Sequence, residues 1–163
     1  LEIPLSLIIS RKIGHPENEE FAVCAATEEG ELVCEEGESS KLDRRWLEDK
    51  RKMALKEIER RRIAYGSKRL PATGKVAIIV DDGIATGLTM RAAIRSLRGE
   101  LPSMIVVAAP IAPAEVAEYL RSEADDVVIL DTSEPFLGAI GAYYDSFPQL
   151  SDEEVIRLMD VPA

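Results

Sequence analysis

The chain has 163 residues, 46% of them apolar, with 20 basic and 30 acidic side chains and a formal net charge of −10. That length fits one ordinary domain, and the apolar share supports a real core, which argues against wholesale disorder. The acidic balance disfavours non-specific nucleic-acid binding by the whole surface, although local backbone dipoles can still hold a small anion.

The opening segment Leu1 to Ser10 is apolar, too short to span a bilayer, and followed by no small-residue cleavage site. Within it the near-continuous apolar run Leu5 to Ser10 predicts a strand covered on both faces, followed directly by Arg11 and Lys12. Gly14, His15 and Pro16 break the pattern. Phe21 to Ala26 and Glu31 to Glu35 read as a hairpin turning at Thr27 to Gly30. The two cysteines, Cys24 and Cys34, are ten apart with only His15 nearby, a poor metal set, and the expectation is a buried, reduced pair.

Charge then changes sign along the chain. No Lys or Arg occurs between Ile13 and Ser40, a stretch with nine glutamates, whereas Lys41 to Tyr65 carries ten basic residues against five acidic ones. This reads either as a solvated hairpin followed by a solvated helix face, or as a basic helix set near a polyanionic ligand or a partner subunit's acidic stretch. Leu42 to about Tyr65 predicts one long helix, with Leu47, Ala54, Ile58 and Tyr65 at helical spacing, Trp46 and Met53 flanking them, and Gly66 at its end.

From Val76 the pattern becomes strand, helix, strand, helix, strand: Val76 to Val80, Leu88 to Leu97, Met104 to Ala109, Pro113 to Ser122, and Val127 to Leu130. That alternation is the mark of a parallel sheet with right-handed crossovers, its strands buried. Residues 131 to 150 read as irregular and aromatic, and Asp152 to Met159 as a final helix with a Ser151/Glu154 capping box.

The stretch Val76 to Met90, VAIIVDDGIATGLTM, carries the chemistry. Its strand ends at Asp81 and Asp82, and ligands of open parallel sheets lie beyond the carboxyl ends of strands. Adjacent carboxylates there stay hydrated, bind a cation, or accept hydrogen bonds from vicinal hydroxyls. Gly83 permits a sharp turn, and Thr86, Gly87 and Thr89 lead into a helix whose free N–H groups and dipole make an anion cradle. No lysine follows Gly87, so this is not a Walker loop, and the dinucleotide fingerprint is also absent. The arrangement suits one terminal phosphate at the helix start with a hydroxyl-bearing sugar toward the acidic pair. The plainer alternative is a turn punctuated by aspartates and a helix capped by threonines.

That segment resembles the phosphoribosyl-diphosphate motif of the type I phosphoribosyltransferases. SRKIGHPENEEFAVCAATEEGELV, PFLGAIGAYYDSF and the SDEEV helix extend the resemblance over nearly the whole chain, to a branch of bacterial and archaeal predicted phosphoribosyltransferases. It implies an α/β fold: an open, mostly parallel sheet flanked by helices, with a β-hairpin and a long inserted basic helix. It implies a single domain over 1–163, with 36–74 as a helical insertion or lid and 131–163 as an aromatic segment and short helix. Asp81 and Asp82 would hold the ribose 2- and 3-hydroxyls, and Gly83, Ala85, Thr86, Gly87, Leu88 and Thr89 would turn around and wrap the 5-phosphate. Mg2+ would ride on the diphosphate and sugar hydroxyls rather than in a protein cage.

Arg11 and Lys12 read either as surface charges at a strand end or, by resemblance, as catalytic cations that neutralise a leaving diphosphate. Phe136 is the ring that the resemblance would stack on a nucleobase; the alternative for it, Tyr143, Tyr144 and Phe147 is packing at a sheet edge or subunit contact. His15, the only histidine, reads as structural. Two departures stand out. Relatives acting on 6-oxopurines place a lysine after the strand equivalent to Met104 to Ala109, where this chain has Pro110 to Pro113. The family also has a strand and a diphosphate loop ahead of the Leu5 segment, the strand lying between it and Val76 to Val80. Either the residues belong to a longer protein, or those two strands pair directly, or a partner chain fills the gap.

The expected function is therefore a cytoplasmic magnesium-dependent transferase of nucleotide metabolism, moving a phosphoribosyl group from 5-phosphoribosyl 1-diphosphate to a nitrogen acceptor. A homodimer is possible, with no nucleic-acid or membrane partner. Two other readings stand beside it: a non-catalytic sugar-phosphate or nucleotide-binding regulator of the same fold, and an assembly module built on the basic helix.

Overall fold

The computed structural model describes residues 3–35, 37–66, 69–132 and 134–159. The chain divides into two compact units, Leu1–Pro71 with Pro148–Ala163, and Ala72–Phe147.

In the first unit, β1 (Arg11–His15), β2 (Asn18–Ala26) and β3 (Leu32–Cys34) form an antiparallel sheet in that order. Helix α1 (Arg44–Ala64) starts at Asp43, whose carboxylate accepts from the Trp46 N–H at 2.8 Å. Its Ala54 and Ile58 are buried with Ile9, Ile13, Val23, Cys24 and Ala26, and Trp46, Leu47 and Tyr65 pack around them. Met53, expected beside that stripe, is exposed. Helix α4 (Asp152–Met159) opens with reciprocal bonds between Ser151 and Glu154, as its capping box requires, and Asp152 accepts from Arg60 and Tyr65 of the α1 end.

Two expectations for this unit need correction. Leu5 to Ser10 forms no strand; the first is β1, which includes Arg11 and Lys12 themselves. The Ile9 N–H is satisfied by the Glu28 carboxylate at 2.9 Å instead of by a neighbouring strand, and Leu5 is exposed. Nor are the cysteines reduced: Cys24 and Cys34 face each other in the β2–β3 register and are disulfide-bonded. Both lie equidistant from Glu29 in the hairpin, which brings their side chains together.

The acidic and basic stretches meet within this unit. Glu28, whose side chain is 2% exposed, pairs with Arg62 and Arg69, and Lys50 reaches Glu19. Most other helix charges pair locally, Arg51 with Glu48 and both Arg60 and Arg61 with Glu57. These contacts favour the solvated-face reading of the basic helix.

In the second unit, β4 (Val76–Val80), β5 (Met104–Ile111) and β6 (Asp126–Asp131) form a parallel sheet in the order β4-β5-β6. Helices α2 (Leu88–Arg98) and α3 (Ala114–Glu123) are its crossovers; α2 packs on β4 and β5, α3 on β6, and the two touch. Sequential strand order with right-handed crossovers puts both helices on one face. Burial along β5 alternates accordingly, with Ile105, Val107, Ala109 and Ile111 inside. The other face is open: Val76, Ile78 and Val80 are exposed, so β4 is not covered on both sides as its continuous apolarity predicts. Among the described residues no helix is long and apolar enough to cross a membrane.

Candidate functional site

The carboxyl end of β4 runs directly into the acidic pair. The Asp81 N–H extends the parallel ladder to the Ala108 carbonyl at 3.2 Å. The chain then leaves the sheet: the Asp82 N–H turns back to the Asp81 carboxylate at 3.0 Å, and the Ile84 N–H returns to the Ile111 carbonyl at 2.9 Å. Ile84 is buried, whereas Asp82 is exposed and Asp81 half-buried. A buried residue just past the pair thus pins a turn that leaves Asp82 exposed.

Gly83 is required by space rather than by dihedral. A Cβ there would lie 2.5 Å from Ile140 Cγ2 and 2.9 Å from Ile111 Cγ2. Gly87 is required by both. It is the left-handed N-cap of α2, at φ 75°, and a Cβ would meet Val116 Cγ1 at 3.0 Å. Glycine offers no capping side chain, and the first N–H groups of a helix have no intrahelical partner. The first intrahelical bond of α2 is Arg91 N–H to the Gly87 carbonyl at 2.8 Å. Leu88 is fully buried, so only its backbone faces the cradle, while Thr86 is exposed and Thr89 half-buried. Arg91 sits over the Tyr119 ring at 4.4 Å. The result is an anion-ready helix start adjoining the acid turn.

The aromatic segment closes on this turn. The Tyr144 hydroxyl donates to the Asp82 carbonyl at 2.5 Å, and Ile140 packs on Gly83. Phe136 stacks on Tyr143 with centroids 5.6 Å apart, and the Tyr143 hydroxyl accepts the Leu137 N–H at 2.8 Å. Asp81, Asp82, Gly83, Ala85, Thr86, Gly87, Leu88 and Thr89 therefore form one continuous feature, and Phe136 belongs to the same unit. Arg11 and Lys12 lie on β1 of the first unit, exposed and opposite Ala26 and Ala25. Sequence reasoning missed Ile140 and Tyr144 as neighbours of the acid turn; no spacing rule links a tyrosine to a main-chain carbonyl 62 positions away.

A parallel β/α unit with an acid turn and a glycine-led helix start at the carboxyl end of a strand is the arrangement in which open α/β proteins bind their ligands. The chain belongs to the phosphoribosyl transferase domain family, whose model matches residues 1–146. Two relatives, both named "Putative phosphoribosyl transferase", come from Mycobacterium tuberculosis strains CDC 1551 and H37Rv. Each is 37% identical over 164 residues, covering 98% of this chain; the chain spans only 37% of the length of each. The crystal structure of TT1426 from Thermus thermophilus is similar with a TM-score of 0.70 and 35% identity, over 93% of this chain and 73% of that one.

Proposed function

We propose that the chain carries the donor site of a phosphoribosyltransferase that uses 5-phosphoribosyl 1-diphosphate. The observation that carries this reading is the continuity of the acid turn Asp81–Asp82 with the glycine-led start of α2. Asp82 and Asp81 accept hydrogen bonds from the ribose 2- and 3-hydroxyls. The backbone from Ala85 to Thr89 and the Thr86 hydroxyl donate to the 5-phosphate. The bond from the anomeric carbon to diphosphate breaks, a bond to an acceptor nitrogen forms, the diphosphate departs, and the acceptor loses a proton. Arg11 and Lys12 are assigned to the departing charge, and Phe136 with Tyr143 to a flat acceptor such as a nucleobase. Residues 36–74 are assigned as the cover that excludes water.

The donor set fits magnesium. Asp81 and Asp82 offer hard carboxylate oxygens, and Mg2+ keeps most of its shell from water and phosphate. When bound, the ion neutralises the diphosphate and so improves it as a leaving group.

The test is calorimetric titration with the donor and Mg2+ of the wild type and of a double variant, Asp81→Asn with Asp82→Asn. Binding abolished in the variant supports the reading; equal binding by both proteins refutes it. One observation favours a second reading, a regulator that binds the same ligand without turnover. The residues closing β5 are Ile111, Ala112 and Pro113, so this segment supplies no lysine to read an acceptor. Donor binding without diphosphate release across a panel of bases selects that alternative.

A further inference from the structure

Three separate partners hold the peptide groups of the acid turn. The Asp81 N–H bonds to β5, the Asp82 N–H to the Asp81 side chain, and the Ile84 N–H to the end of β5. The Asp82 carbonyl is held by the Tyr144 hydroxyl, from a segment far along the chain. That phenol is itself braced: its ring packs against Phe147 with centroids 5.0 Å apart, and Phe147 lies against Gly141. The peptide it grips joins Asp82 to Gly83, and glycine leaves that peptide unusually free to rotate once the grip is lost. Without that grip the turn is free to shift at Asp82 itself, and the carboxylate shifts with the Cα that carries it. The phosphate cradle has its own anchor in buried Leu88.

We propose that Tyr144 is a positioning residue that holds the Asp81–Asp82 turn in its sugar-binding conformation through the Asp82 carbonyl. It acts on recognition of the sugar hydroxyls and leaves the phosphate end untouched. This rests on the reading of Asp81 and Asp82 as the sugar contacts given above. Since Ile140 and Tyr143 belong to the same turn as this prop, the segment assigned to the acceptor also sets the donor's geometry.

Tyr144→Phe keeps the ring and removes only the hydroxyl. Wild type and variant are titrated with ribose 5-phosphate and Mg2+ and, separately, with inorganic phosphate followed by NMR shifts. The expected result is ribose 5-phosphate binding weakened about three- to tenfold, the worth of one hydrogen bond. Phosphate binding stays unchanged and the melting temperature moves by no more than about 2 °C. Equal affinity for ribose 5-phosphate in both proteins overturns the proposal, and so does an equal loss for both ligands, which marks a general structural defect. A wild type that binds phosphate but not ribose 5-phosphate overturns the sugar reading of the aspartates itself and this proposal with it.

Discussion

Ile140 lies so close to Gly83 that even a methyl group on the glycine would overlap it, 2.5 Å from its Cγ2. The β-branched isoleucine has few rotamers into which it can retreat. Gly83→Ala is therefore expected to lower stability by about 1–3 kcal/mol, the usual cost of overpacking. It also pushes the acid turn outward, so ribose 5-phosphate affinity falls with it. Urea unfolding and calorimetry measure the two effects; a variant that keeps wild-type affinity would show that this contact does not shape the turn.

Gly87 sets the phosphate end in the same way. Its φ of 75° is costly for any residue with a Cβ, about 1–2 kcal/mol, and the Val116 contact adds to that. For Gly87→Ala the expected outcome is loss of stability by at least about 1 kcal/mol and weakened inorganic phosphate binding. NMR titration with phosphate reads the second effect, which should be absent if the start of α2 is not the anion site.

Glu28 is the buried junction of the first unit. Its carboxylate takes the Ile9 N–H and both Arg62 and Arg69, and Arg69 also reaches Glu29 at 2.6 Å. Glu28→Ala strips the partner from a buried backbone donor and from a guanidinium, at a cost of about 1–3 kcal/mol. The loss should appear in thermal unfolding and be larger than that of Glu59→Ala on the exposed face of α1. Equal effects would deny Glu28 its role.

Acid sensitivity follows from carboxylates held charged. Hydrogen bonds from Arg60, then Arg61, lower the Glu57 carboxyl from 4.5 to about 2. Asp152 is lowered by Arg60 and then Tyr65, and Asp125 chiefly by the Ile105 N–H. A group whose folded pKa is depressed contributes stability that is present above its unfolded pKa and lost as pH falls through the folded one. Melting temperature should thus hold above about pH 5 and fall between about pH 4.5 and 2. Glu57→Gln should flatten the curve in that window; an unaltered slope would place the acid sensitivity elsewhere.

What the sequence discloses depends on whether the signal is local. Val76–Val80 is an unbroken apolar run rich in β-branched residues, and Asp152–Met159 carries its own capping box; both elements form with the bounds that their residues imply. The motif from Asp81 to Thr89 is likewise contiguous. Leu5 to Ser10 has the same apolar character as Val76 to Val80, yet it makes no strand, because apolarity states a need for cover and not which hydrogen-bond partner supplies it. The disulfide depends on a hairpin register, and the open face of β4 on where two crossovers lie. Tyr144 was illegible for a related reason, since its acceptor is a main-chain oxygen that carries no residue identity.

The separation of 62 residues between Tyr144 and Asp82 also orders events in time. A chain made from its amino end exposes the acid turn long before Ile140 and Tyr144 leave the ribosome. The strands and crossover helices of the second unit can assemble while the Asp82–Gly83 peptide is still unrestrained. Ligand geometry is thus the last property of that unit to be acquired during synthesis, and a nascent chain stopped ahead of residue 140 would own the motif without its shape.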